Sequence, residues 1–192
     1  TLLSCSAELE EGPINLYGGG GRTNSYEVYG EFHTYNTYPD LPRHEYQDSA
    51  GVIAQPLVIA SYKLILGTKN SKIKLLAGRN VHWEFDLDSN EFVAAGMCGD
   101  NEKNIYAVTT NHRLLSLDFT GKKRWEYEIK DSAVRERVYA DLLAVKDGIV
   151  LGSSSGLLMK FSHDGKLQWK RQSPFDLKRV FATDKQGNID VA

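Results

Sequence analysis

A helical stripe is what this sequence most lacks. Apolar residues recurring every three to four positions are hard to find, and residues 132–145 (SAVRERVYADLLAV) offer the nearest approach. Within that stretch, 139–145 fits a strand slot described below. No apolar run comes near the roughly 18–20 residues a membrane-spanning helix needs. The net charge of −2 leaves no basic footprint for nucleic acid, and the densest cationic cluster, Lys122-Lys123-Arg124, reads as a solvated turn tip. The two cysteines, Cys5 and Cys98, stand 93 residues apart, and no Cys/His spacing matches a zinc site. Five histidines (33, 44, 82, 112 and 163) are scattered, four of them in or beside expected turns or loops. Neither a Ser-His-Asp order nor a G-x-S-x-G elbow is visible. Gly18–Gly21 invites a phosphate-cradle reading, but Arg22-Thr23 follows and no helix does. Catalytic, cofactor-binding and metal-binding residues are therefore each expected to be none.

What is present is an ordinary globular composition with ten tyrosines, suited to half-buried strands, and a repeat. The three tryptophans, Trp83, Trp125 and Trp169, are 42 and 44 residues apart. With Leu64, Ile105 and Ile149 placed in register, the tryptophans follow 19, 20 and 20 residues later. Each unit reads as four short strands. First strands fall at 52–59, 92–98 and 138–145, and second strands, nearly continuously apolar, at 63–68, 104–109 and 148–152. A continuous apolar run implies burial on both faces. A polar tip then leads to a third strand, and a glycine turn delivers the fourth strand with its tryptophan. Asp118 and Asp164 precede or enter that turn, where an Asx-type bond to the backbone explains both. Residues 179–192 resemble a first strand, a Gln186-Gly187-Asn188 turn and the start of a second strand.

Four-stranded units of this length in tandem predict an all-β fold, a β-propeller of four-stranded antiparallel blades with about three full blades and the start of a fourth. The boundaries expected are 1–12 for a tether, 13–50 for an N-terminal segment and ring-closing strand, and 51–192 for blades. Those blades fall at 51–88, 91–130, 137–173 and 178–192, the last truncated. The chain opens on Thr1 and stops inside an expected strand, so it reads as part of a longer protein. One blade cannot cover both its faces, so a large side chain at a fixed place must seal it against the next. An indole buries on the order of 150–250 Å², which gives the three tryptophans a packing role.

The segment 149–169 (IVLGSSSGLLMKFSHDGKLQW) closely resembles the quinoprotein-type (PQQ-like) β-propeller repeat, and 117–125 (LDFTGKKRW) keeps its ending. The first unit departs more, lacking one residue in its Gly-Arg-Asn turn. The resemblance covers roughly 50–192. It implies that Trp83, Trp125 and Trp169 dock one blade to another, with Gly121 and Gly165 in the turns beside them. Residues 14–26 are similar to the stretch that precedes the first blade in such proteins, and 25–35 would be the strand that closes the ring. Leu2-Leu3-Ser4-Cys5 resembles a bacterial lipobox, which makes Cys5 the lipid attachment and 6–12 the tether.

Quinoprotein alcohol dehydrogenases of this family bind PQQ and calcium, but typically show an adjacent cysteine pair that this chain lacks. The family's lipoprotein branch, that of the outer-membrane β-barrel assembly machinery, is the nearer likeness. It implies a non-catalytic, lipid-anchored scaffold at the periplasmic face of the outer membrane. Its partners would be envelope proteins, with no cofactor, no nucleic acid and no expected small molecule. The alternatives are a PQQ- and calcium-dependent dehydrogenase and a ligand-sensing propeller ectodomain.

Overall fold

The computed structural model describes residues 14–18, 28–32, 51–54, 56–60, 63–77, 80–130, 139–174, 177, 181–183 and 189–191. Cys5, the tether, Gly78-Arg79 of the first unit's Gly-Arg-Asn turn and the Gln186-Gly187-Asn188 turn lie outside the described residues. Every regular element described is a strand. β1 (Ile14–Gly18) and β2 (Val28–Phe32) form an antiparallel pair of their own. Val28–Phe32, inside the stretch expected to close the ring, thus takes β1 as its ladder partner.

Three four-stranded sheets follow, each a simple antiparallel meander in chain order. The first contains β3 (Leu57–Ala60), β4 (Lys63–Thr68), β5 (Lys72–Ala77) and β6 (Asn80–Asp86). The second contains β7 (Cys98–Gly99), β8 (Ile105–Val108), β9 (Arg113–Leu117) and β10 (Lys123–Glu128). The third contains β11 (Tyr139–Val145), β12 (Gly148–Ser153), β13 (Leu157–Phe161) and β14 (Leu167–Gln172). A last pair, β15 (Phe181–Thr183) and β16 (Ile189–Val191), begins another sheet. The innermost strands β3, β7, β11 and β15 are successive neighbours, so the sheets follow one another as blades of a partial β-propeller.

The core lies between blades, and strand periodicity explains how one strand serves two of them. Along β8, Ile105 and Ala107 pack with Ile65, Ile73 and Leu75 of the first blade. The alternate residues Tyr106 and Val108 pack with Leu142, Ile149 and Phe161 of the third. All four positions are buried, which is why the second strand reads as one apolar run. The outer strands behave differently. On β6 and β10 the charged side chains are exposed and the tryptophan between them is half-buried.

The turns repeat as faithfully as the strands. Second strands end on a buried hydroxyl residue, Thr68, Thr109 or Ser153. Thr68 Oγ1 donates to Lys72 O at 3.1 Å, Thr109 Oγ1 accepts from Arg113 N at 3.3 Å and Ser153 Oγ accepts from Leu157 N at 3.1 Å. Each turn then passes through a left-handed residue: Ser71 (φ 60°), His112 (φ 58°) or Gly156 (φ 86°). The carbonyl of that residue accepts from the amide four positions after the blade's tryptophan, Leu87, Ile129 or Ser173, at 2.8 Å each time.

The first strands differ from expectation in continuity. Val52 bridges Thr68 and Leu57 pairs with Ile65, so five steps on the inner strand face three on its partner. Val93 bridges Thr109 and Cys98 pairs with Tyr106, which repeats the interruption. Pro56 has no amide to donate in the first case, and the small residues Ala94-Ala95-Gly96 occupy the second. Val93 meets the neighbouring blade closely here: a Cβ on Gly67 would lie 2.8 Å from its Cγ2. In the third blade the slip shrinks to one residue, between Tyr139 and Asp141.

Phe161 is fully buried and meets Tyr127 edge-on, with ring centroids 4.9 Å apart, at the junction of the second and third blades. Phe161→Ala should lower stability by about 3–5 kcal/mol, measured by urea denaturation; a loss under about 1 kcal/mol would contradict this core assignment.

Candidate functional site

The two junctions between the three complete blades are each built around an indole. The ring of Trp83, on the fourth strand of the first blade, lies over the turn that precedes β10 in the second. Its Nε1–H donates to Phe119 O at 3.0 Å. Gly121 sits beneath with φ +83°, and a Cβ there would fall 2.5 Å from Cδ2 of the indole. Trp125 meets the third blade in the same way, donating to His163 O at 2.9 Å. There Gly165 has φ +84°, and its Cβ would fall 2.6 Å from Cδ2. Two constraints thus coincide on each glycine, a left-handed backbone and a space the indole already fills. Trp169 is half-buried on β14, with the Arg171 guanidinium 5.3 Å above its ring.

The receiving turns close by two different devices. Asp118 Oδ1 accepts from Thr120 N at 2.8 Å and from Lys122 N at 3.0 Å, an Asx turn. The Thr120 hydroxyl and these amides hold its carboxyl below the ordinary aspartate value. In the third blade the same place in the turn belongs to Ser162, whose hydroxyl accepts from Lys166 N at 3.2 Å. Asp164 lies within the turn but does not span it, accepting a hydrogen bond from the Ser162 hydroxyl and pairing with Lys166 at 2.8 Å. The common Asx role expected for Asp118 and Asp164 therefore holds for Asp118 alone, because Ser162 supplies the turn-spanning oxygen in the third blade.

The side chain next to the docking carbonyl distinguishes the junctions. Phe119 lies under two ammonium groups, Lys63 at 4.9 Å and Lys103 at 5.6 Å from the ring centre. His163 instead meets a polar cluster: Nδ1 is 3.1 Å from Tyr106 Oη and 3.3 Å from Asp100 Oδ2, and Nε2 is 3.3 Å from Lys146 O. Tyr106 donates to Asp100 Oδ2 at 2.6 Å, and Asn104 donates to the same carboxylate through its backbone and its side chain. Burial alone would raise the Asp100 carboxyl, but the bonds from Tyr106 and Asn104 outweigh it and hold the group below its usual value. Burial and the adjacent carboxylate both push the Tyr106 phenol up.

A second buried carboxylate anchors the connector between the first two blades. Glu91, wholly inaccessible, accepts from the Thr109 hydroxyl, from Arg113 Nε at 2.9 Å and from Asp88 N at 3.1 Å. Arg113 also pairs with Asp88 at 3.0 Å. Burial pushes the Glu91 carboxyl up, and the opposing bonds from Arg113, Thr109 and the Asp88 amide leave it below the ordinary value. Glu91 and the Tyr106–His163 contact were not legible, since the partners lie 18 and 57 residues away, and Asp100, Asn104 and Tyr106, though within six residues, match no site motif. Cys98 is fully buried between the second and third blades. Among the described residues, no group of three or more His, Cys, Asp and Glu could hold a metal ion.

No family model and no curated protein matches the sequence. Solved structures do. A protein of unknown function from Bacteroides caccae superposes with a TM-score of 0.63 at 13% identity, over 94% of this chain and 65% of the other. The quinohemoprotein alcohol dehydrogenase from Comamonas testosteroni gives 0.51 at 16% identity, over 64% of this chain and 21% of the enzyme. BamB from Moraxella catarrhalis aligns more loosely, at 0.45 and 13% identity, over 88% of this chain and 67% of its own. At these identities the first two likenesses show a shared propeller fold, and the third carries no argument. The chain spans 65% of the first structure's length and about a fifth of the second's.

Trp83→Ala and Trp125→Ala should each cost about 3–5 kcal/mol, whereas Trp→Phe at either position should cost less by keeping the packing and losing one hydrogen bond of about 1 kcal/mol. Thermal unfolding checks the order; equal losses from Phe and Ala would deny the packing role. Because the folded carboxyl of Glu91 titrates below 4.5, its contribution is complete above that pH and disappears as pH falls through the lower value. Glu91→Gln should therefore be less stable than wild type at neutral pH, with the gap closing in acid. A gap that widens on acidification would contradict the assignment.

Proposed function

We propose that this protein is a non-catalytic, lipid-anchored β-propeller of the cell envelope that serves as a protein–protein interaction scaffold in outer-membrane protein assembly. The observation that carries this reading is the use made of buried polar groups. Lys74 pairs with Glu84, Glu91 with Arg113, Asp100 with Tyr106 and Asn104, and Ser116 accepts from Arg124. Thr68, Thr109 and Ser153 close turns. Every buried polar or charged side chain described thus has a partner within the frame, which supports a structural use of these groups. The fold is shared with an alcohol dehydrogenase and does not itself decide between enzyme and scaffold.

The mechanism follows from stiffness. Blades locked through indoles hold their loops in fixed relative positions, so a partner meets a preformed surface. The outer strands β6, β10 and β14 also offer backbone for strand addition, and exposed charges such as Glu84, Asp86 and Lys123 limit indiscriminate pairing. The anchor rests on the Leu2-Leu3-Ser4-Cys5 resemblance.

The test is expression of the full-length protein with its own leader in a Gram-negative host. Wild type should sediment with membranes and, once solubilised, co-purify with an envelope protein in fixed stoichiometry. Cys5→Ser should move it to the soluble fraction. Dye-linked alcohol oxidation after reconstitution with PQQ and calcium would overturn the scaffold reading, and unchanged membrane association of Cys5→Ser would overturn the anchor.

A further inference from the structure

The carbonyls of Ser71, His112 and Gly156 mark one end of the blades, where second strands turn into third strands and connectors leave the fourth. At this end of the second blade, connector and turn border an open cleft of about 420 Å³ lined by Asn90, Phe92, Thr110, Asn111 and His112. Sites for small molecules occupy about 300–1,000 Å³.

Three features set this cleft apart. Its lining has two carboxamides, a hydroxyl, an imidazole and one aromatic ring, with no carboxylate, ammonium or guanidinium. Its two walls each carry a non-glycine residue in the left-handed region, Asn90 at φ 60° and His112 at φ 58°. Among the described residues only Ser71 and Lys103 share that conformation outside glycine. His112 is the second blade's copy of the turn residue that is Ser71 in the first and Gly156 in the third, and asparagine adopts this conformation readily, so the two residues mark where turn and connector reverse. A frame is also present. Phe92 N donates to Thr110 Oγ1 at 3.1 Å and Thr110 N donates to Phe92 O at 2.8 Å, which joins the walls. The Glu91–Arg113 pair fixes the residues next to Asn90, Phe92 and His112, and its charges cancel.

We propose that this cleft binds a neutral pyranose, free or as a residue of a glycan. A carboxamide both donates and accepts, which matches a sugar hydroxyl that does the same, and the exposed side chains of Asn90 and Asn111 supply two. The half-buried Phe92 ring offers an apolar surface to the C–H face of the sugar. Phosphate, carboxylate and ammonium ligands find no opposite charge in the lining. The site departs from the expectation that no small molecule binds, and it is independent of the scaffold reading.

The test uses the full-length protein with glucose, galactose, mannose, N-acetylglucosamine and glucuronate, by saturation-transfer NMR and calorimetry. Electrophoresis through gels cast with neutral polysaccharides forms a second arm. A neutral hexose should bind in the millimolar range, and retention by polysaccharide alone would assign the site to a glycan. Asn111→Ala should weaken binding about tenfold, the value of one hydrogen bond near 1.4 kcal/mol. Asn90→Gly should do the same while its melting temperature stays level or rises, since glycine relieves the left-handed backbone. Failure of every neutral sugar and polysaccharide to bind would overturn the proposal. So would glucuronate binding as tightly as glucose, or unchanged affinity in both variants.

Discussion

An indole N–H donated to a carbonyl of the next blade, with the ring resting where a glycine has no Cβ, is the contact that makes a row of small sheets into one body. A four-stranded sheet alone leaves apolar side chains open on both faces. The indole fixes the distance and angle at which the next sheet arrives, so that Ile65, Ile105 and Ile149 are all enclosed. The donor and its acceptor are 36 residues apart at one junction and 38 at the other. The bond therefore joins neighbouring units rather than bracing one.

Around this shared dock the two junctions use opposite chemistry. Lysine ammonium groups flank Phe119 at the first, while a buried carboxylate, a phenol and an imidazole interlock at the second. Neither arrangement would be satisfied by the other's turn. Phe119 would leave the Tyr106–Asp100 pair without its imidazole neighbour, and a histidine under Lys63 and Lys103 would replace the aromatic face they cover. The polar groups thus make the two junctions chemically distinct although their indole docks are the same.

The fold was legible because a recurring tryptophan and a continuously apolar second strand are written into every unit. Ile105 to Val108 already shows burial on both faces as an unbroken apolar run. The pairing of β2 with β1, and the breaks that separate Val52 from Leu57 and Val93 from Cys98, were not legible. They depend on backbone partners that composition does not announce. The exchange of Asp118 for Ser162 escaped for a related reason: a hydroxyl and a carboxylate can fill one place in a turn, and the nearby Asp164 looks equivalent in one dimension only. Glu91 and the Asn90–His112 cleft were hidden because each joins a connector to a turn about twenty positions later.

The amide four positions beyond each tryptophan, bonded to a left-handed carbonyl, ends a blade at a defined point whatever comes next. From Leu87 the chain runs six residues to Val93, and from Ile129 ten residues to Tyr139, yet both preceding strands finish identically. Length variation in the links is thereby kept from disturbing the strand before them. Evolution can lengthen or recode those links, and with them whatever the rim recognises, without renegotiating the architecture underneath.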